Sequence, residues 1–516
     1  MNIEERLALL EQKKVHSRQD DNPRYAAKQH EKGKLTARER LAVLMDDGIL
    51  NERYTWMKTQ SPDFGMNNKD LPCEAIITGW GEINKRKVYI FSQDFTVMGG
   101  AVGEVHGKKM YSLIDEAIKT GMPIVGLNDS GGARIQEGIG TMQGYSTVFQ
   151  RTSIASGWIP QISVVLGPCA GGATYAPALT DFIIMVDPIA KMFITGPSVI
   201  RAVTSEIINF DELGGAKIHT GLTGVAHFYA TSEEEALNIV KELLSFFPSN
   251  SREKPPVVVC HDPIDRMEER LRYIVPEEDK KPYDMMEFIN LIVDDGYFLE
   301  IHKRFACNII VGFARMGGKS VGIVANQPKY LAGCLDVDAS FKAARFVRFC
   351  DAFNIPVITL VDCPGYLPGV RQEHMGIIRN GAKMLYAYSE ATVPKITLVV
   401  KKSYGGGYSA MCGKDLGCDL MLALPTAEIA VVGPEAAADV VFKKEIESAD
   451  NPKEKRREVV NNYRREVATP YRAAEWGLVH EIIDPIEIRP TLIHALQILE
   501  NKTEARPYKK HCNLPL

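Results

Sequence analysis

At 516 residues the chain can bury more than one hydrophobic core, and its 45% hydrophobic and 24% charged residues are ordinary for a globular protein. A net charge of -4 provides no general electrostatic surface for nucleic acid, so no nucleic-acid partner is expected. The ten cysteines are scattered without a CxxC pair, which argues against zinc-ribbon and iron–sulfur sites and favours a reducing compartment.

The N-terminal segment predicts helices rather than a targeting signal. "MNIEERLALLEQKK" alternates charge signs on a helical pattern and lacks the apolar core of a signal peptide, so we expect a cytoplasmic protein. Further along, Thr36 and Glu39 have the spacing of a capping box, which predicts a helix that starts there.

Short apolar runs then alternate with helical patterns. "KVYIFSQ", "PIVGLN" and "QISVVLG" are typical of buried strands, and "KKMYSLIDEAIKTG" at 108–121 predicts a helix that ends at glycine. This alternation indicates an α/β fold. The stretch from Thr152 to Thr180 has no charged residue, but prolines interrupt it, so we expect buried core rather than a membrane span.

The chain contains an internal repeat. "VYIFSQDFTVMGGA" from Val88 resembles "VGIVANQPKYLAGC" from Val321, and "PIVGLNDSGGARIQE" from Pro123 resembles "PVITLVDCPGYLPGVRQE" from Pro356, both 233 residues apart. "IPQISVVLGPCAGGA" and "VPKITLVVKKSYGGG" follow in the same order, 234 residues apart. Matches in one order at a nearly constant spacing predict two homologous domains, 1–252 and 260–505, with the boundary in 249–259.

Each half carries a strand, a glycine-rich bend and a helix, as "AGGATYAPALTD" and "YGGGYSAMCGKD". Glycines let the backbone turn tightly, and the following helix leaves N–H groups free to bind negatively charged oxygen. From the glycines alone, three functions stay open: tight packing, an oxyanion hole, or phosphate binding. The spacings GxGxxG and GKS/GKT, which are typical of nucleotide sites, are absent.

Together these motifs identify a family resemblance. The strand–GG–helix unit is similar to that of the crotonase superfamily. The chain resembles the carboxyltransferase subunits of biotin-dependent acyl-CoA carboxylases, of the propionyl-CoA carboxylase beta and methylmalonyl-CoA decarboxylase alpha types. The resemblance covers nearly the whole chain and rests on "LNDSGGARIQEG", "GPCAGGATYAPALTDF", "FITGP", "ANQP", "MGIIRNGAK", "YSEATVPKIT" and "PTAEIAVVGPE".

The resemblance implies two crotonase-like domains in tandem and two oxyanion holes, the first at Gly171 and Gly172, the second at Gly406 and Gly407. It also implies that Ser409 helps to select the acyl group. Many members have Ala in place of Gly407, and many propionyl-CoA enzymes have Asp in place of Ser409. Candidate substrate-binding positions are Gly131, Gly132 and Ala133 of "SGGAR", together with Ser409; for "SGGAR" a structural turn stays open as an alternative.

In this interpretation the backbone carries out the catalysis. Carboxyl transfer between carboxybiotin and the α-carbon of a short acyl-CoA passes through enolates, and each oxygen needs preorganised donors. The resemblance implies propionyl-CoA or methylmalonyl-CoA as substrate and a homohexamer. The alternative that stays open is the alpha subunit of a sodium-pumping decarboxylase, with membrane subunits as partners.

The chain has no biotin-attachment motif, so biotin is expected in trans, on a carrier protein that works with a biotin carboxylase subunit. Asp129 and Asp362 occupy matching strand ends, where fixing a loop is favoured over binding a ligand. His106, His219 and His374 have no metal-site spacing, and no metal is expected. Four cysteines near the motifs are interpreted as small buried residues: Cys169, Cys363, Cys412 and Cys418.

Overall fold

A computed structural model describes residues 1–18, 23–278 and 281–514. The chain divides into two compact units, Met1–Glu253 and Lys254–Leu516, and the boundary between them lies inside the segment 249–259.

The first unit is built on one sheet flanked by helices. Its strands are β1 (Asn51–Arg53), β2 (Ile76–Ile83), β3 (Arg86–Gln93), β4 (Ile124–Ser130), β5 (Gln161–Ala170), β6 (Phe182–Val186), β7 (Lys191–Phe193) and β8 (Phe228–Ala230). Its helices are α1 (Ile3–Ser17), α2 (Pro23–His30), α3 (Ala37–Leu44), α4 (Glu104–Thr120), α5 (Ile139–Ala155), α6 (Gly172–Ala178), α7 (Pro197–Thr204), α8 (Phe210–Gly214), α9 (Ala216–Gly221) and α10 (Glu233–Phe246).

The second unit repeats this plan. Its strands are β9 (Phe298–Ile301), β10 (Ile309–Met316), β11 (Lys319–Asn326), β12 (Val357–Cys363), β13 (Lys395–Tyr404), β14 (Leu420–Ala423), β15 (Glu428–Ala430) and β16 (Glu481–Ile482). Its helices are α11 (Leu271–Ile274), α12 (Met285–Ile292), α13 (Val337–Ala352), α14 (Val370–His374), α15 (Ile377–Glu390), α16 (Gly406–Ala410), α17 (Pro434–Val440), α18 (Lys443–Glu447), α19 (Pro452–Glu466), α20 (Pro470–Glu475) and α21 (Ile488–Ile498).

The two sheets have equivalent topology. In the first, the strand order is β1-β2-β3-β4-β5-β6-β8, and β7 pairs with the end of β5. In the second, the order is β16-β14-β13-β12-β11-β10-β9, and β15 pairs with the end of β13. The three strands at the N-terminal edge of each sheet are antiparallel and the remainder are parallel. The prediction of an α/β fold is confirmed.

Local predictions also agree with the structure. The capping box is present at α3, where Thr36 accepts from the Glu39 amide and Glu39 accepts from the Thr36 amide. Helix α4 ends as predicted at Gly121, which has a left-handed φ of 65°, but begins at Glu104, earlier than the predicted segment. The uncharged stretch 152–180 forms the end of α5, the buried strand β5 and α6. Within the described residues, no helix has both the length and the apolar character needed to cross a membrane.

The parallel strands point their C-terminal ends at one edge of each sheet, and there the chain departs from regular structure. The pairing of β4 with β5 shifts register between Asn128 and Ser130, and that of β12 with β13 shifts between Val361 and Cys363. Asp129 and Asp362 sit at these irregularities. In open parallel sheets this edge is where ligands bind.

Candidate active site

Both halves contain the same backbone bend. Gly171 follows β5 with φ 59° and ψ -125°, and Gly405 follows β13 with φ 52° and ψ -129°. Only glycine adopts these angles without strain, because a side chain would collide with the backbone. The next residue in each half, Gly172 or Gly406, is the first residue of a short helix.

The amides at the bends are not equally available. The Gly171 amide donates to the Phe193 carbonyl at 3.0 Å, and the Gly405 amide donates to the Ala430 carbonyl at 3.0 Å. These bonds hold each bend against the short strand β7 or β15. Gly171 is a predicted oxyanion donor, and its N–H already has this partner within the fold.

Two consecutive amides remain in each half. Within the described residues, no hydrogen bond is found for the amides of Gly172 and Ala173, or for those of Gly406 and Gly407. The pairs are equivalent, since each follows a glycine with positive φ. The predicted pair Gly406 and Gly407 coincides with one of these pairs of amides, and the predicted pair Gly171 and Gly172 begins one residue before the other.

The loop "SGGAR" lies beside the first bend. A Cβ on Gly132 would come within 2.8 Å of the Ala170 carbonyl oxygen, so only glycine permits this approach. The Gly131 amide donates to the Gly99 carbonyl and the Gly132 amide to the Ser130 hydroxyl. For Ala133, in contrast, no partner of the amide is found in the described part of the chain, and the residue is exposed.

The second half provides an equivalent amide. Tyr366 bridges to Leu335 as Ala133 bridges to Val102, and no partner of the Tyr366 amide is found among the described residues. A Cβ on Gly407 would lie 2.8 Å from the Cys363 sulfur and 3.2 Å from the Gly365 Cα, so this loop abuts the second bend. Each half therefore offers unpaired donors from a bend and from a neighbouring loop.

Aromatic rings lie against both bends. A Cβ on Gly172 would lie 3.2 Å from the Tyr145 ring, and one on Gly406 would lie 3.4 Å from the Tyr366 ring. Sequence analysis did not single out these tyrosines. The residue two positions after the second amide differs between the halves. It is Tyr175, 47% exposed, in the first half and the exposed Ser409 in the second.

Asp129 belongs to a buried ionic cluster. Its carboxylate lies 2.5 Å from the Lys34 ammonium and 3.0 Å from Arg40, which also pairs with Glu233 at 2.7 Å. A buried charge needs such partners, and together they fix the end of β4. Asp362 instead accepts from the Lys402 amide at 3.1 Å, and burial raises the pKa of its carboxyl. These contacts favour the structural interpretation of both aspartates.

The other sequence candidates have structural surroundings. Arg134 of "SGGAR" is fully buried and pairs with Glu74 and Glu137, each at 2.7 Å. His106 is buried between Gln93 and the Glu74 carbonyl, and burial lowers its pKa well below the usual value.

His219 contacts the Met192 carbonyl at 2.8 Å, and His374 is exposed at the end of α14. No group of three or more His, Cys, Asp or Glu residues that could hold a metal ion is found within the described ranges. The four cysteines near the motifs are buried as predicted, and burial raises the pKa of Cys363 to about 12, so this thiol stays protonated.

The chain is similar to known proteins over nearly all of its length. Residues 28–514 match the carboxyl transferase domain family. The carboxyltransferase subunit of propionyl-CoA carboxylase from Haloferax mediterranei is 49% identical over 516 residues, with 100% of both chains covered. Methylmalonyl-CoA decarboxylase subunit alpha from Propionigenium modestum is 52% identical over 489 residues, with 95% of both chains covered.

A solved structure is also similar. Transcarboxylase 12S, in crystals with methylmalonyl-coenzyme A and methylmalonic acid bound, aligns with a TM-score of 0.97 and 49% identity. The alignment covers 100% of this chain and 99% of that one. That protein is described as a hexamer assembly and a multienzyme core. Its fold agrees with the prediction of two crotonase-like units in tandem.

Proposed function

The chain belongs to the carboxyl transferase family, and from this premise we propose that it transfers a carboxyl group between biotin on a separate carrier protein and the α-carbon of propionyl-CoA or methylmalonyl-CoA. The observation that carries the proposal is the pair of equivalent bends, each with consecutive amides for which the described residues provide no partner. The two units then act as the N-terminal (1–252) and C-terminal (260–505) carboxyltransferase domains.

The chemistry of the donors fits the charges that develop. Removing a proton from the α-carbon of a thioester places negative charge on the thioester oxygen, and N–H groups fixed in advance stabilise that charge without reorganisation. We assign this role in the first unit to the amides of Gly172, Ala173 and Ala133. Gly131 and Gly132 shape the loop, because their own amides are bonded internally.

The second set of amides, at Gly406 and Gly407, is assigned to the biotin side. Biotin supplies a carboxyl group on a ureido nitrogen, next to a ureido oxygen that becomes negatively charged when the group leaves. Two N–H groups without a partner among the described residues fit such an oxygen. Ser409, on the same short helix and exposed, is assigned to the acyl pocket.

Assembly and partners are part of the proposal. Similarity to transcarboxylase 12S at 49% identity supports a homohexamer, and the family supports a biotin carrier and a biotin carboxylase as partners. Light scattering on the purified chain is expected to give the mass of six copies, and an active monomer would contradict this. The scattered cysteines favour a cytoplasmic location.

The reaction can be tested with the isolated chain. Purified protein is incubated with methylmalonyl-CoA labelled in its free carboxyl group and with free biotin or a purified biotin carrier domain. We expect label to appear on biotin, and propionyl-CoA to form in equal amount. A sample without biotin controls for spontaneous decarboxylation. Absence of transfer from methylmalonyl-, malonyl- and other short acyl-CoA donors would refute the proposal.

A second function has support from one observation, the 52% identity to methylmalonyl-CoA decarboxylase subunit alpha. In that case the same site works in the direction from methylmalonyl-CoA to biotin and serves sodium-pumping membrane subunits. Copurification distinguishes the two functions: a biotin carboxylase supports the first, and a membrane decarboxylase subunit supports the second.

A further inference from the structure

The second bend carries a side-chain cluster that the mechanism above does not use. Tyr404 is the last residue of β13 and directly precedes Gly405. Its hydroxyl donates to the carboxylate of Glu428 in β15. The register pairs Tyr404 with Ala430 and Lys402 with Glu428, so Tyr404 and Glu428 are two positions apart on neighbouring strands and lie on the same face.

The cluster continues to the surface helix α19. Arg464 of that helix lies 3.1 Å from the other carboxylate oxygen of Glu428 and also bonds Glu435 at 3.3 Å. Tyr404 and Glu428 are only 8% and 7% exposed. Since a buried carboxylate is stable only when it is paired and hydrogen-bonded, these three residues hold one another in place.

The ring of Tyr404 is also fixed by packing. A Cβ on Gly433 would lie 2.9 Å from the ring, so the backbone at Gly433 lies close against Tyr404. Burial and the neighbouring Glu428 raise the pKa of the Tyr404 hydroxyl, which keeps it protonated as a donor.

The first unit has no such cluster at the equivalent place. Its strands pair Ala170 with Phe193 and Pro168 with Lys191, so Ala170 stands where Tyr404 stands and Lys191 where Glu428 stands. Lys191 pairs instead with Asp211, away from the bend. The bend angles agree in both units, so the cluster is not required to form the bend.

What distinguishes the second bend is its backbone freedom. It contains Gly405, Gly406 and Gly407 in a row, whereas the first has Ala173 in place of the third glycine. Each additional glycine increases the conformational entropy that must be lost for the amides to stay in position. We infer that Tyr404 and Glu428 are positioning residues that hold the Gly406 and Gly407 amides ready for the oxygen they bind.

This inference rests on the proposed function, but it makes a prediction that does not require turnover. Without the Tyr404–Glu428 hydrogen bond, the peptide that spans 404–411 should open more often. We expect Tyr404→Phe to increase amide hydrogen exchange in that peptide by about tenfold, the factor for one lost hydrogen bond. Glu428→Gln keeps an acceptor for the hydroxyl, so its effect should be smaller than that of Glu428→Ala.

Kinetics provide the second readout. Tyr404→Phe should lower kcat for carboxyl transfer from methylmalonyl-CoA to biotin by about tenfold to a hundredfold, as expected for displaced donors. The KM for the acyl-CoA should change less than kcat, because the amides assigned to the thioester oxygen belong to the first unit. The matched control is Tyr229→Phe, which removes a comparable hydrogen bond from Tyr229 to Asp187 at 2.8 Å in the first unit.

The outcomes separate the two proposals. Faster exchange in 404–411 with a lower kcat, in Tyr404→Phe but not in Tyr229→Phe, supports the inference. Unchanged exchange and unchanged kcat in folded Tyr404→Phe overturn it while the proposed function stands. If the wild-type protein transfers no carboxyl group, the proposed function is wrong. Unchanged hydrogen exchange in peptide 404–411 of Tyr404→Phe would then still overturn the positioning role, because that measurement does not need turnover. If Tyr404→Phe does not fold, Glu428→Gln compared with Glu428→Ala gives the same two readouts.

Discussion

The substitution of Gly406 by proline, compared with its substitution by alanine, tests directly whether a backbone amide participates in catalysis. Gly406 is the first residue of α16, and its N–H has no partner among the described residues. Proline fits the first position of a helix, because its fixed φ is already helical and no intrahelical bond is lost. The same chain begins other helices in this way, at Pro197 and Pro434.

Space at Gly406 is sufficient for either side chain. The nearest atoms to an added Cβ belong to the Tyr366 ring at 3.4 Å, which is ordinary van der Waals contact. The preceding residue is Gly405, which has no Cβ to collide with the proline ring. Alanine therefore adds a methyl group and keeps the donor, whereas proline replaces the N–H with a ring carbon that cannot donate.

The expected magnitude follows from the role. Loss of one oxyanion donor lowers kcat by about 100- to 1,000-fold, or about 3 to 4 kcal/mol of barrier. Gly406→Ala should retain kcat within about tenfold, and its stability should rise by about 0.5 to 1 kcal/mol because alanine loses less backbone entropy. The ratio of kcat between the alanine and proline variants should thus be about 100 or more.

The measurement is carboxyl transfer from labelled methylmalonyl-CoA to biotin at saturating substrate, with thermal unfolding of each variant as the check of folding. Equal kcat for folded Gly406→Pro and Gly406→Ala would show that this N–H stabilises no charge in the transition state. The backbone mechanism would then be wrong for the second unit.

Three further predictions concern selectivity and stability. Ser409→Ile should shift the ratio of kcat/KM values from propionyl-CoA toward acetyl-CoA by up to roughly 10- to 200-fold, the selectivity that one methylene group provides. An unchanged ratio would show that Ser409 does not line the acyl pocket. Lys342→Met should lower the free energy of unfolding, measured in urea, by at least about 3 kcal/mol, because the buried ammonium donates to four carbonyls. The control Lys303→Met, at an exposed lysine, should change it by less than about 0.5 kcal/mol. His106 is neutral in the folded protein because burial lowers its pKa, so the unfolded chain binds the proton first as the pH falls. The free energy of unfolding of the wild type should therefore fall below about pH 6.5, by up to about 1.4 kcal/mol per pH unit. His106→Gln should reduce this slope, and an identical slope would contradict a neutral, buried His106.

Much of the fold is predictable because its signals are local. Apolar runs predicted β3, β4 and β5, and the capping box predicted α3, since strand burial and helix capping depend on residues that are close in sequence. The repeat adds information that a single domain lacks. Two copies with the same spacing placed both bends at equivalent strand ends, and the structure has them there.

The availability of each amide is not a local property. The Gly171 N–H is lost as a donor because β7 pairs with the end of β5 and brings the Phe193 carbonyl to it. Nothing in "CAGGA" indicates that pairing. The same limit applies to Asp129, whose partners Lys34, Arg40 and Glu233 come from distant parts of the unit. A residue-by-residue comparison of the two repeats shows that Gly405, the equivalent of Gly171, precedes the predicted second pair.

The differences between the two units suggest how a duplicated site can serve two different partners. The bends agree in backbone angles within about 7°, so each unit presents its amides in the same way. The side chains behind them have diverged, to Ala170 and Lys191 in one unit and to Tyr404 and Glu428 in the other. Because the donors belong to the backbone, such changes leave the number of donors unaltered and alter only how firmly they are held. A duplicated backbone site can therefore acquire a second substrate without losing its chemistry, whereas a site built from catalytic side chains would lose a reacting group at the first such replacement.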